Sequence, residues 1–120
     1  MSISNYENLI VFKKAHEIVL AVYQLIQKFP EDQKYLLSKQ LFRSISSVPA
    51  NIAEGFGRSS NKDKRRFIII SRGSAEESKY HLLLAKDLNF INTSEYEILV
   101  SEITEVIKIL NKFEQKFNKI

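Results

Sequence analysis

The 120-residue sequence predicts an all-α protein, an up-down-up-down four-helix bundle. Three observations carry that expectation. Apolar residues recur at steps of three and four nearly throughout, the pattern breaks near residues 30–34, 57–61 and 89–93, and no stretch alternates polar with apolar as a strand does. Connections this short place successive helices side by side and antiparallel.

The first helix is expected over residues 9–29, where Val11, Ala15, Ile18, Val22, Leu25 and Phe29 line one face. Pro30 ends it, because the residue before a proline is pushed out of the helical region. The second is expected over 34–57, with Leu37, Leu41, Ile45, Val48 and Ile52 as its stripe. Pro49 interrupts that stripe, and its missing N–H and bulky ring predict a kink or a break between two shorter helices. Gly55 and Gly57 close the segment, supplying left-handed geometry or a close backbone approach.

Ser60 with Asp63 reads as a cap that opens the third helix, 61–89, with Phe67, Ile70, Ser74, His81, Leu84, Ala85 and Leu88 inward. Asn92 and Glu95 make a clearer capping pair for the fourth, 93–118. There Tyr96, Leu99, Ile103, Val106, Leu110, Phe113, Phe117 and Ile120 alternate strictly by three and four, a heptad seam. Ile98, Val100, Ile107 and Ile109 widen this surface beyond one seam, which is the basis for expecting a contact with another subunit.

Nothing divides the chain: it has no repeat, low-complexity tract or linker, so residues 1–120 read as one domain. Cysteine is absent, which excludes disulfides, thiolate zinc sites and cysteine nucleophiles. The longest apolar runs, Phe67–Ile70 and Leu82–Ala85, are far too short to span a bilayer, and the N-terminus shows no secretory pattern. No membrane association and a cytoplasmic location are expected.

The charge is unevenly spread. Residues 34–72 carry nine Lys/Arg against Glu54 and Asp63, a net +7 in a chain of net +4. On the third helix Lys62, Arg65 and Arg72 fall within about a quarter of the circumference, with Arg66 beside them. Arg58 precedes this stripe, and Lys39 and Arg43 extend it from the second helix. Such a face suits the phosphate backbone of RNA or DNA, since arginine donates two parallel bonds to phosphate. The alternative is that the basic face is merely solvated, on a structural protein that docks a protein partner.

Catalysis is not expected. Ser44, Asn51, Glu54, Gly73, Ser74, Glu77 and His81 suggest a polar network inside the bundle. Glu77 and His81 stand one turn apart with Glu54 able to face them, but carboxylate-bridged metal bundles require Glu-x-x-His from two helices. His16 is alone, and Ser74 lacks the strand-to-helix turn of a hydrolase nucleophile. No cofactor or metal is expected.

Tyr6-Glu-Asn-Leu-Ile-Val-Phe-Lys-Lys-Ala15, Phe29-Pro30, Gln40-Leu-Phe-Arg-Ser44, Ser47-Val-Pro-Ala-Asn-Ile-Ala-Glu-Gly55, Gly57-Arg58 and Arg72-Gly-Ser74 closely resemble the bacterial four helix bundle protein family. That family includes proteins encoded within intervening sequences of 23S ribosomal RNA genes and, more distantly, accessory proteins of diversity-generating retroelements. The resemblance implies a bundle that assembles into a ring, typically a homopentamer, with a basic surface suited to nucleic acid. In a retroelement context it would also imply a reverse transcriptase partner. The chain departs from the family pattern at Ser78 and His81, where members commonly carry Leu and Gln.

Overall fold

The computed structural model describes Tyr6 and residues 9–118. Four α-helices follow one another, α1 (Ile10–Ile26), α2 (Lys39–Phe56), α3 (Asn61–Asp87) and α4 (Thr93–Asn118), and no strand occurs among the described residues. They lie side by side in a body of 47 × 21 × 19 Å. α1 and α3 each pack against both α2 and α4. The seven largest fully buried side chains, Leu41, Ile45, Ile52, Ile68, Leu82, Ile103 and Leu110, come from α2, α3 and α4. Val11 and Val22 close the core from α1.

The boundaries shift where turn chemistry outweighs periodicity. α1 ends before Phe29, whose ring leaves the helix to pack 5.4 Å from Phe90. The 31–38 stretch forms a 3-10 turn, Glu31–Gln33, and one wide π-helical turn, Lys34–Ser38, so α2 proper begins later than residue 34. α2 then runs unbroken through Pro49, which is itself buried beside Val48 and Ile52. Burial of this apolar face offsets the missing backbone donor. Gly57 has an ordinary helical φ of −86°. Gly55 instead permits close approach, since a Cβ there would meet Phe67 Cβ at 3.0 Å.

The left-handed turn falls at Asn89, φ 65°. Asn89 N–H donates to the Lys86 carbonyl and Phe90 N–H to the Ala85 carbonyl, both at 2.9 Å, the paired closure that ends α3 at Asp87. At the other end Ser60 Oγ accepts from Asp63 N–H at 3.1 Å, as the cap requires. The α4 cap is reciprocal: Glu95 N–H donates to Asn92 Oδ1 at 2.7 Å, and Asn92 N–H donates to Glu95 Oε1 at 2.9 Å.

That backbone bond from Asn92 holds the Glu95 carboxyl below its ordinary value, and Lys28 adds to the effect while burial opposes it. A carboxylate favoured in the folded state stabilises fully above its unfolded pKa, and the gain is lost as pH falls through the lowered folded value. Asn92→Ala is expected to lower the unfolding free energy by about 1 kcal/mol at neutral pH, measured by urea denaturation. No change there would mean the α4 start is held by packing alone.

The main correction concerns α3. Its fully buried face is Ile68, Ser71, Ala75, Ser78, Leu82 and Ala85, one position away from the stripe through Phe67, Ile70 and Ser74; Ala85 is shared, and Leu84 packs partly buried against the core. Ile70 is 41% exposed, while Leu88 and Gly73 also face outward. Two apolar runs, Phe67–Ile70 and Leu82–Ala85, allow several faces at the same spacing, and the small residues at 71, 75 and 78 choose among them. They let α3 approach α2 closely. Their hydroxyls are satisfied there: Ser71 Oγ donates to the Val48 carbonyl at 2.8 Å, and Ser44 and Ser78 hydroxyls meet at 2.8 Å.

The inner polar network is therefore one of serines. Asn51 donates to the Ser47 carbonyl of its own helix, and Glu54 points outward to Arg58 at 2.8 Å. Glu77 pairs with Arg43 and His81 at the edge of the α2–α3 contact. α4 keeps its seam, with Leu99, Ile103, Val106, Leu110 and Phe117 buried; Ile120 lies outside the described residues. Its supposed surplus is largely used at home: Ile107 is buried, Val100 and Ile109 pack on the core, and Ile98 alone of the four is exposed.

Candidate functional site

α2 and α3 meet at a tight corner, residues 54–66, where Gly55 lets the start of α3 press against the end of α2. Phe67 sits half-buried at this corner. The guanidinium carbons of Arg58 and Arg66 each lie 4.7 Å from its ring centroid. Such cation–π contacts hold long side chains in place without consuming their N–H donors. Arg58 also meets Glu54, whereas Arg66 and the exposed Lys62, one helical turn before it, have no acidic partner among the described residues.

The seven cations do not form one stripe. Arg65 and Arg72 turn toward α4 and share the carboxylate of Glu114: Arg65 donates at 3.1 Å, and Arg72 donates both to Glu114 and, at 2.8 Å, to Asn111 Oδ1. Arg43 is engaged by Glu77 at 3.3 Å and by Gln40 at 3.1 Å. Lys39 stands at the far end of α2, roughly 26 Å along the axis from Phe56 at 1.5 Å per residue. The corner thus gathers Arg58, Lys62 and Arg66, and leaves four of the predicted residues in other settings.

Sequence spacing could not reveal Glu114 or Asn111 as partners, because they lie on another helix. The periodic spacing that expects Phe67 inward misses its role, because the shifted face of α3 leaves the ring half-buried at the corner. The opposite flank of the molecule is acidic: Lys14, Glu17, Ser101, Glu102 and Glu105 line a cleft between α1 and α4. Among the described residues no three of His, Asp and Glu converge as a metal-holding group. No helix is long and apolar enough to cross a membrane, again among the described residues.

Residues 7–112 match the family model described as 23S rRNA-intervening sequence protein. A crystal structure of a protein with unknown function from the S23 ribosomal protein family, from Bacteroides thetaiotaomicron, has the same fold with a TM-score of 0.80. It is 28% identical, and the alignment covers 88% of this chain and 98% of that one. No match was found among curated proteins.

Proposed function

Since the chain belongs to the 23S rRNA-intervening sequence protein family, whose name specifies no activity, its function must be read from its own surface, and we propose a non-catalytic cytoplasmic protein that self-associates and binds RNA or DNA by its phosphates. The observation that carries this reading is that Arg66, held over Phe67, and the neighbouring Lys62 have no acidic partner among the described residues, with Arg58 over the same ring beside them. Ordered cations lose less entropy on meeting phosphate, and affinity then comes from charge neutralisation and counterion release, with little sequence preference.

The decisive experiment titrates a fluorescent single-stranded RNA of random sequence at several salt concentrations. Lys62→Gln with Arg66→Gln is expected to weaken binding about tenfold at low salt and to flatten the log–log salt slope by about 1.4, at roughly 0.7 per phosphate contact. Both residues are exposed, so helicity should be unchanged. Unaltered affinity and slope would instead favour the second reading, a protein-docking scaffold with a solvated basic corner.

Self-association is supported by the outward face of α3. Ile70, Gly73 and the 58% exposed Tyr80 share it, and a Cβ on Gly73 would meet nothing within 4 Å. Glycine mid-helix costs about 0.5–1 kcal/mol relative to alanine, and no contact among the described residues requires it. Close approach of another helix would. The ring of five implied by the family resemblance predicts a particle of fivefold mass in sedimentation equilibrium, and a monomer at micromolar concentration would overturn this part of the proposal.

A further inference from the structure

Counted along the chain, residues 102–116 of α4 are neutral: Glu102, Glu105 and Glu114 offset Lys108, Lys112 and Lys116. The fold sorts them. Glu102 and Glu105 line the cleft with α1, and Glu114 turns to α3, where it holds Arg65 and Arg72. Lys108, Lys112 and Lys116 are left exposed, with no acidic partner among the described residues. Four residues apart, they stand about 6 Å from one another along the axis and make one cationic row.

This row lies at the same end of the molecule as the basic corner, because Arg65 and Arg72 of α3 meet Glu114 and Asn111 of α4. It also lies on the outer side of that contact. At 100° per residue Lys108 and Lys112 stand about 60° and 100° around α4 from Asn111, turned away from buried Leu110. On α3 the exposed Arg66 stands about 100° around from Arg65, turned away from buried Ile68, with Lys62 one turn before it. Two rows of cations therefore flank one helix–helix seam. Packed helix axes are about 8–10 Å apart, and side chains leaning outward from both sides carry their charges farther.

A single strand can follow one row, but a ligand that uses both must present two lines of phosphate. The rings of α3 and α4 at this end are already taken. Phe67 carries the guanidiniums of Arg58 and Arg66, and Phe113 and Phe117 pack with each other and with Phe56, so a base has no stacking platform of the kind that single-strand binders use. A duplex needs none, since its bases are stacked inside. The face is a blunt pair of helices rather than one element that enters a major groove, which suits the wide, shallow minor groove of an A-form helix with its two flanking backbones. We propose that the α3–α4 face binds double-stranded RNA across that groove, with Lys62 and Arg66 on one strand and Lys108, Lys112 and Lys116 on the other. This rests on the phosphate-binding reading above and adds to it a second row and a ligand class.

The test titrates three fluorescent probes into the full chain: an RNA duplex of about 20 base pairs, one of its strands alone, and the DNA duplex of the same sequence. The RNA duplex is expected to bind about tenfold more tightly than the strand, and the DNA duplex more weakly than the RNA duplex. Lys108→Gln with Lys112→Gln is expected to weaken the RNA duplex about tenfold at low salt and to flatten its log–log salt slope by about 1.8, at roughly 0.9 per phosphate contact. The strand, held by the corner, should change less than twofold, and the thermal midpoint should stay the same because both lysines are exposed. A strand bound as tightly as the duplex, a preference for the DNA duplex, or α4 substitutions that move strand and duplex alike or move neither would overturn the proposal while leaving phosphate binding at the corner intact. Failure of all three probes to bind the wild type would overturn both.

Discussion

Ile68→Ala is expected to lower the unfolding free energy by roughly 2–5 kcal/mol, while Ile70→Ala, two residues further, changes it by about 0.5 kcal/mol or less. The two side chains are chemically identical and belong to one apolar run, so the contrast isolates where each points. Ile68 is fully buried against the core, and truncating it removes transfer free energy and leaves a cavity that packed neighbours fill only in part. Ile70 is 41% exposed, and its loss uncovers little. Urea denaturation of both variants checks this, with the slope of the transition confirming that the denatured states are comparable. Equal losses, or a larger one at Ile70, would show that α3 is rotated by one position and that the inward stripe runs through Phe67 and Ser74 after all. If Ile70 is covered in an assembly, its truncation will shift the oligomer's dissociation rather than the stability of the isolated fold.

Glu114→Gln is the second substitution with a large expected effect, about 2 kcal/mol of lost stability. Glu114 is half-buried and, among the described residues, is the one carboxylate meeting both Arg65 and Arg72. Glutamine keeps its shape and one acceptor but removes the charge, leaving two half-buried guanidiniums side by side without compensation. Exposed surface pairs contribute far less, so an unchanged denaturation midpoint would place this cluster among them. The same variant bears on function. With Glu114 neutral, Arg65 and Arg72 are no longer anchored to α4, and the net charge rises by one. Under the proposed function the variant binds RNA more tightly than the wild type at low salt, and the gain disappears as salt is raised. Lys62→Gln with Arg66→Gln moves affinity the opposite way with little cost in stability, so the two variants together separate folding from binding.

Residue by residue, the legible part of the fold was the local part. The inward stripes of α1, α2 and α4 follow from repeats at three and four, and the caps at Ser60 and Asn92 follow from side chains that reach backbone groups three residues away. The end of α2 proved half legible: two glycines marked a special place, but only contact with Phe67 shows that Gly55 serves close approach while Gly57 is conformationally ordinary. The candidate site was less legible still. A count of cations finds the basic region, yet which of them remain available depends on carboxylates elsewhere in the fold.

The sequence by itself determined the all-helical class, the number of helices, their breaks and caps, and the concentration of positive charge between residues 34 and 72. Each is a local property, set by apolar spacing and by hydrogen bonds within a turn. Only the tertiary structure decided which face of α3 turns inward, that serines form the buried polar contacts, and that Arg65 and Arg72 are held by Glu114. Those outcomes join residues 23 to 49 positions apart. A hydroxyl or carboxylate carries no periodic signal, and its partner is chosen by the approach of one helix to another, which composition and spacing do not encode.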